Sequence, residues 1–322
     1  MRNIIARSGK IALFSVMTML LALPSFAQLS LRRALDTDGD GRADFTIFRP
    51  STNIWYTNRS GGGQTFTNFG IASQDFMTPG DYDGDGKGDV AVWRDTNGTF
   101  YRLNSSNGTF VGVQFGQTGD EPVARDYDGD GKTDVAVVRR TGGNMIWYVI
   151  GSVAGAFTAT QWGVSTDFTA PGDYDGDGKF DFTVQRPGAT ATSQAIFYSR
   201  RSIDGALAAV PWGLSNDLVV PGDYDGDNRT DFAVVREGST PTSSLIWYIQ
   251  RSSNGSLLTE FFGTTGSDLN VQNDYDGDGK TDVAVWRDAG GIFYYKSSLN
   301  GSLGSGQWGS PNDYPVASYD TH

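Results

Sequence analysis

Asp81-Tyr82-Asp83-Gly84-Asp85-Gly86-Lys87-Gly88-Asp89 places four carboxylates at positions one, three, five and nine of a nine-residue stretch. The same D-x-D-x-D-x-x-x-D pattern begins at Asp36, Asp81, Asp126, Asp173, Asp223 and Asp274, at spacings of 45, 45, 47, 50 and 51 residues. Self-similarity at such a period is the mark of a repeat architecture. Four further landmarks follow each copy in fixed order. An Arg stands five residues after the last Asp: Arg49, Arg94, Arg139, Arg186, Arg236 and Arg287. An aromatic-Tyr pair comes next, as in Trp147-Tyr148, then an aromatic-Gly pair, as in Trp162-Gly163. Last comes a single Asp: Asp75, Asp120, Asp167, Asp217, Asp268 and Asp313.

Each unit reads as strands. Short β-rich runs such as Val90-Ala91-Val92-Trp93 follow the nonapeptide, and β-branched and aromatic residues suit a pleated surface. Asn-Gly pairs at Asn107, Asn254 and Asn300, and Asp204-Gly205, favour the φ > 0 hairpin turn. Four short antiparallel strands per ~45 residues is the arithmetic of a propeller blade. A β-solenoid is the competing reading, but its rungs are parallel and leave no use for hairpin turns. Six units predict an all-β propeller of six four-stranded blades. A seven-bladed ring is the alternative, and residues for three of its strands are missing. Leu31–Leu35 and Tyr314–Tyr319 both resemble a spare inner strand. The C-terminal one is expected to close the ring, because Pro315-Val316-Ala317 copies Pro122-Val123-Ala124.

The nonapeptides are candidate metal loops. Their ligand sets are Asp36, Asp38, Asp40 and Asp44; Asp81, Asp83, Asp85 and Asp89; Asp126, Asp128, Asp130 and Asp134; Asp173, Asp175, Asp177 and Asp181; Asp223, Asp225, Asp227 and Asp231; Asp274, Asp276, Asp278 and Asp282. Hard oxygen donors at this density, without His or Cys, select Ca²⁺ over transition metals, and Mg²⁺ dehydrates too reluctantly for an all-protein cage. About six structural Ca²⁺ ions are expected. Gly at position six, replaced only by Asn228 in the fifth copy, permits a sharp φ > 0 turn. The carbonyl of position seven is expected to complete the shell, by analogy with EF-hand loops. The loop is not itself an EF-hand, because position twelve is Ile47, Val92, Val137, Val184, Val234 or Val285, each inside a strand, where that motif needs Glu.

On these loops the chain resembles the FG-GAP/VCBS repeats of integrin α-subunit propellers and of many secreted bacterial proteins. The resemblance covers Asp36 to Asp320 and implies a β-propeller whose loops bind Ca²⁺. One departure is the absence of Gly-Ala-Pro after the second strand, where Arg49-Pro50 and Arg186-Pro187 stand.

Composition bounds the function. The chain has 322 residues, no Cys and one His, His322. Zinc–thiolate sites, disulfides, cysteine nucleophiles and His-based triads are excluded. The net charge of −12 argues against nucleic-acid and anionic-membrane partners. Residues 1–27 read as a signal peptide: basic Arg2, Arg7 and Lys10, an apolar run from Ile11 to Leu23 too short to span a bilayer, and small residues at Ser25 and Ala27. Its removal leaves one domain, 28–322, with no membrane span, in a secreted, periplasmic or cell-surface location. The expected role is a binding or scaffold module for an extracellular glycan or protein. A polysaccharide-active lyase or hydrolase is the alternative, but the three Glu (Glu121, Glu237 and Glu260) form no cluster, and a catalytic pair should break the repeat. What does break it is the segment between the repeated Arg and Tyr. It is lengthened at Gly188–Gln194 and Gly238–Ser244, on the face opposite the metal loops. The repeated Arg is expected to pair with a carboxylate or carbonyl of a neighbouring blade, and the Asp75-type residue to cap a turn.

Overall fold

The computed structural model describes residue 31 and residues 33–317; the signal at 1–27, Tyr319, Asp320 and His322 lie outside the described residues. The strands form six four-stranded antiparallel sheets, arranged as the blades of a ring. In the second blade they are Asp75–Met77, Val90–Arg94, Thr99–Leu103 and Phe110–Gln114, counted outward from the axis. The second strand, VAVWR, is almost continuously apolar because neighbouring blades cover both of its faces. The outermost strand alternates between exposed and half-buried residues, since it borders solvent. No helix among the described residues is long and apolar enough to cross a membrane.

The first blade is built from both ends of the chain. Tyr314–Pro315 pairs with Phe45–Arg49, which continues to Ile54–Asn58 and Gln64–Asn68. The Val316 amide adds a 2.9 Å bond to the Thr46 carbonyl, so the C-terminal strand closes the ring as expected. A four-ring cluster of Phe45, Tyr275, Phe293 and Tyr295 seals the seam between the last blade and the first. Gly306 is required there, because a Cβ would lie 2.3 Å from the Phe45 ring.

The described residues of Leu31–Leu35 form no strand. Leu31 and Arg33 are helical and Ala34-Leu35 forms a turn. Leu31 packs with Phe180 and Tyr127, Arg33 Nη1 lies 3.6 Å from Asp81 Oδ2, and Leu35 joins the core of the first blade. Leu31 thus touches the fourth and third blades, Arg33 the second and Leu35 the first, on the metal-loop side. Phe180 replaces the small residues at the same loop position (Ala43, Gly88, Thr133, Thr230 and Thr281), and its ring gives Leu31 an apolar seat.

Between blades, the core is aromatic. Trp55, Trp147 and Trp247 on third strands, and Trp93 and Trp286 on second strands, are buried. Each indole N–H donates to the carbonyl of the aromatic residue in its own blade's aromatic-Gly pair, at 2.9–3.2 Å. Trp93 and Trp286 lie on second strands because there the large residue has moved across the strand pair: Trp93 stands opposite Phe100, as Val138 stands opposite Trp147. Trp162, Trp212 and Trp308 donate to Tyr198, Tyr248 and Tyr56 carbonyls of the following blade and tie the blades together.

The repeated Arg has its partner within its own blade, not in the neighbouring one. Arg94 makes a two-pronged bond to Asp75, 2.7 and 2.9 Å, on the adjacent inner strand, and its guanidinium lies 4.8 Å over the Tyr101 ring. The Asp stands opposite the Arg in strand register, which sequence spacing alone does not reveal. Asp75 also accepts the Ile71 amide at 2.7 Å and so caps the turn that enters the blade, as expected. All six blades carry this Arg–Asp–Tyr unit.

Candidate metal centres

Five nonapeptides connect a blade's first and second strands, the one at Asp36 leads into the second strand of the first blade, and all six loops lie on one face of the disc. The local conformation follows from the first Asp. Asp81 Oδ1 accepts the Gly84 amide at 2.7 Å and Oδ2 the Gly86 amide at 3.0 Å, folding the loop around one carboxylate. Gly84 and Gly86 have φ of 80° and 89°, and Asn228 holds the same left-handed conformation at 66°. The ninth residue closes the loop: Asp89 Oδ2 accepts the Tyr82 amide at 2.9 Å.

Every loop brings acidic oxygens together. Carboxylate oxygens of Asp36, Asp38 and Asp40 lie within 4.8 Å of one another, as do those of Asp81, Asp83 and Asp85; Asp126, Asp128 and Asp134; Asp173, Asp175 and Asp177; and Asp223, Asp225 and Asp231. In the sixth loop, Asp274 and Asp282 are buried, and Asp274 accepts the Gly277 and Gly279 amides. Positions one and nine are buried in all six loops, while positions three and five are half-buried or exposed residues, although the Asp175 side chain itself is nearly enclosed. Burial pushes Asp126, Asp181, Asp231 and Asp282 up to about 7, and Asp81, Asp134, Asp173 and Asp223 up to about 6. Paired buried carboxylates facing one pocket are the electrostatic arrangement that a divalent cation relieves. The donor set therefore fits a metal ion.

Sequence reasoning missed one set of residues at these centres. A Ser on the turn between the third and fourth strands reaches back to its own blade's loop. The Ser105 amide donates to Asp89 Oδ1 at 2.7 Å and its hydroxyl to Asp85 Oδ1 at 2.9 Å. Ser60, Ser152, Ser202, Ser252 and Ser298 make the same amide bond to Asp44, Asp134, Asp181, Asp231 and Asp282. The signal was present: a Ser stands two residues before each Asn-Gly, Asp-Gly or equivalent turn.

The opposite face is built differently. A cavity of about 300 Å³ lies in the channel, lined by Phe76, Met77, Glu121, Arg125, Thr169 and Pro171 among others. Around its mouth the residue after each repeated Asp is Phe76, Glu121, Phe168, Leu218, Leu269 or Tyr314. Phe76, Phe168 and Tyr314 are about half exposed, at 51%, 51% and 54%. Glu121 is held by Arg140 at 2.6 Å and by the Thr169 hydroxyl of the next blade. The two longer insertions stand on this face and bond to their own blades: the Gly188 amide to Ser215 Oγ at 2.7 Å, and the Gly238 amide to Thr265 Oγ1 at 2.8 Å.

The family model for the FG-GAP-like repeat matches residues 36–92 and 126–184, which include four of the six loops. No curated protein matches the sequence. Among solved structures, TolB from Acinetobacter baumannii is similar with a TM-score of 0.51 at 15% identity, over 85% of this chain and 63% of TolB. The chain thus spans less than two thirds of that protein's length. AofleA from Arthrobotrys oligospora gives a TM-score of 0.49 at 9% identity, over 90% of each chain. At 15% identity the likeness to TolB is one of fold. The chain is a six-bladed β-propeller, and its two matches to the repeat model are consistent with a propeller of FG-GAP-like repeats.

Proposed function

We propose that this protein is exported, binds about six Ca²⁺ ions, and serves as a binding module for an extracellular glycan or protein through the face opposite its metal loops. The export reading rests on the N-terminal sequence. It agrees with a cysteine-free chain that uses metal loops where many exported proteins use disulfides. Bound Ca²⁺ would neutralise the converging carboxylates of each loop and fix its backbone. The Asp side chains at positions one, three, five and nine would hold the ion, and the Ser of the outer turn would orient positions five and nine.

The observation that carries the binding face is the channel mouth. Leu31 and Leu35 pack against the blades on the metal side, and the cavity is lined by Phe76, Glu121 and Thr169 of the inner strands toward the other face. There, Phe76, Phe168 and Tyr314 present apolar rings that the repeat does not need to expose. Exposed aromatic rings with polar groups beside them suit stacking on a sugar face or anchoring a protein side chain. The insertions of blades four and five stand on the same side.

The test is a glycan array and a pull-down from extracellular material, each with and without chelator. A retained, calcium-dependent ligand is expected. Phe76→Ala with Phe168→Ala should then weaken it about ten-fold or more, as for central anchors. Cutting both insertions to the seven-residue Arg-to-Tyr spacing of the second blade should weaken it as well. Full affinity in both folded, calcium-loaded variants would reject this face. Release of a cleaved product without a retained complex would favour the polysaccharide-active enzyme.

A further inference from the structure

The six loops touch one another in a closed circle. The amide of position eight in each loop donates to the backbone carbonyl of the first Asp in the preceding loop. The bonds run Gly88 to Asp36, Thr133 to Asp81, Phe180 to Asp126, Thr230 to Asp173, Thr281 to Asp223 and Ala43 to Asp274, at 2.6–2.8 Å. The last of these closes the circle across the seam. The side chain of position seven makes the same step: Lys87, Lys132, Lys179, Arg229, Lys280 and Arg42 lie against the fourth-position Gly of the preceding loop.

We infer that the six calcium sites are coupled to their neighbours, so that filling one loop raises the affinity of the loops on either side. This rests on the calcium reading above. The first Asp supplies a ligand carboxylate and organises its loop through two backbone amides. Its carbonyl is held by the peptide unit between positions seven and eight of the next loop. That unit's own carbonyl is the expected ligand of the next ion. A cation drawing on this carbonyl polarises the peptide and strengthens its N–H as a donor to the neighbouring Asp. An ordered loop also presents that N–H without a further ordering cost when the neighbour binds. Repulsion between neighbouring ions opposes the effect. The six position-seven cations already lie against the preceding loops without bound ions, so the coupling is assigned to the backbone bridge. Linkage makes it mutual: a loop that cannot bind weakens both neighbours.

The experiment is hydrogen–deuterium exchange across a calcium titration of the full chain, read separately on peptides from each loop. In the parent protein, every loop should gain protection as calcium rises. In Asp128→Asn with Asp130→Asn, which disables the third loop at two half-buried positions, the midpoints for loops two and four should move up about five-fold or more. Loop six, across the ring, should move much less. Asp225→Asn with Asp227→Asn, in the fifth loop, should shift loops four and six and spare loop two. This second variant separates coupling between neighbours from a general loss of stability, and it stands in if the first fails to fold. Unchanged midpoints in the neighbours, equal shifts in all loops, or tighter neighbours would overturn the coupling and leave the calcium reading intact. No calcium-dependent protection in the parent protein would overturn both.

Discussion

Gln185 shows what the repeat demands of a single position. It stands opposite Phe197 in the fourth blade, where the second and sixth blades pair Trp93 with Phe100 and Trp286 with Phe293. The Trp indoles bond a main-chain carbonyl, but neither amide atom of the fully buried Gln185 has a hydrogen-bond partner. A buried polar group left unpaired costs roughly 1–3 kcal/mol. Val occupies the same position in blades three and five, as Val138 and Val235. Gln185→Val should therefore raise the melting temperature by a few degrees, measured by calorimetry in calcium. A lower melting temperature would mean that the amide has a role in packing that its contacts do not reveal. In sequence Gln185 is the one amide among Phe48, Trp93, Val138, Val235 and Trp286 at the equivalent positions, yet only the strand register shows what it faces. The same holds for the repeated Arg: its constant spacing marked it as structural, but only the strand pairing identified Asp75 and its equivalents as its partners.

At the scale of the element, the metal loop was the most legible part of the chain. Carboxylates at fixed spacing around a turn-permitting Gly leave few conformations, and the loops adopt the turn that the Gly and Asn228 imply. The Ser ligature from the outer turn was harder to read, because the 16 to 21 residues separating it from Asp89 and its equivalents vary with the hairpin between them. Leu31–Leu35 was misread because an apolar run carries no periodicity over five residues, and its contact with Phe180 is long-range. The loops also set a pH dependence whose sign is distinctive. Without metal, burial raises eight of their carboxylates to about 6 or 7, well above the ~3.9 of an unfolded Asp. Between those values the folded state binds more protons than the unfolded chain, so stability falls as pH rises. Metal-stripped protein should melt higher at pH 5 than at pH 8. With calcium present the order should reverse, because protons displace the ion from the same oxygens. Melting curves at both pH values, with and without calcium, decide this, and parallel trends in the two series would contradict it.

For the whole molecule, the ring is closed by strand pairing between its ends, with no disulfide in the chain. Deleting residues 314–322 removes the inner strand of the first blade and exposes Ile47, Phe48 and Leu35, which share a core cluster with Val316. The melting temperature should fall by at least about 10 °C, since several kilocalories of buried apolar contact are lost. A truncated protein that unfolds cooperatively at the original temperature would refute this closure. The central claim is that calcium in the loops stabilises the folded ring. If each extracellular-type loop binds at about 10⁻⁴ M, 1 mM calcium adds roughly 1.4 kcal/mol per site, and six independent sites add about 8 kcal/mol. That is comparable to the total stability of many domains. Thermal unfolding in 1 mM calcium and in excess EDTA tests the claim directly: the account predicts a melting temperature lower by well over ten degrees in EDTA, and superimposable curves would contradict it.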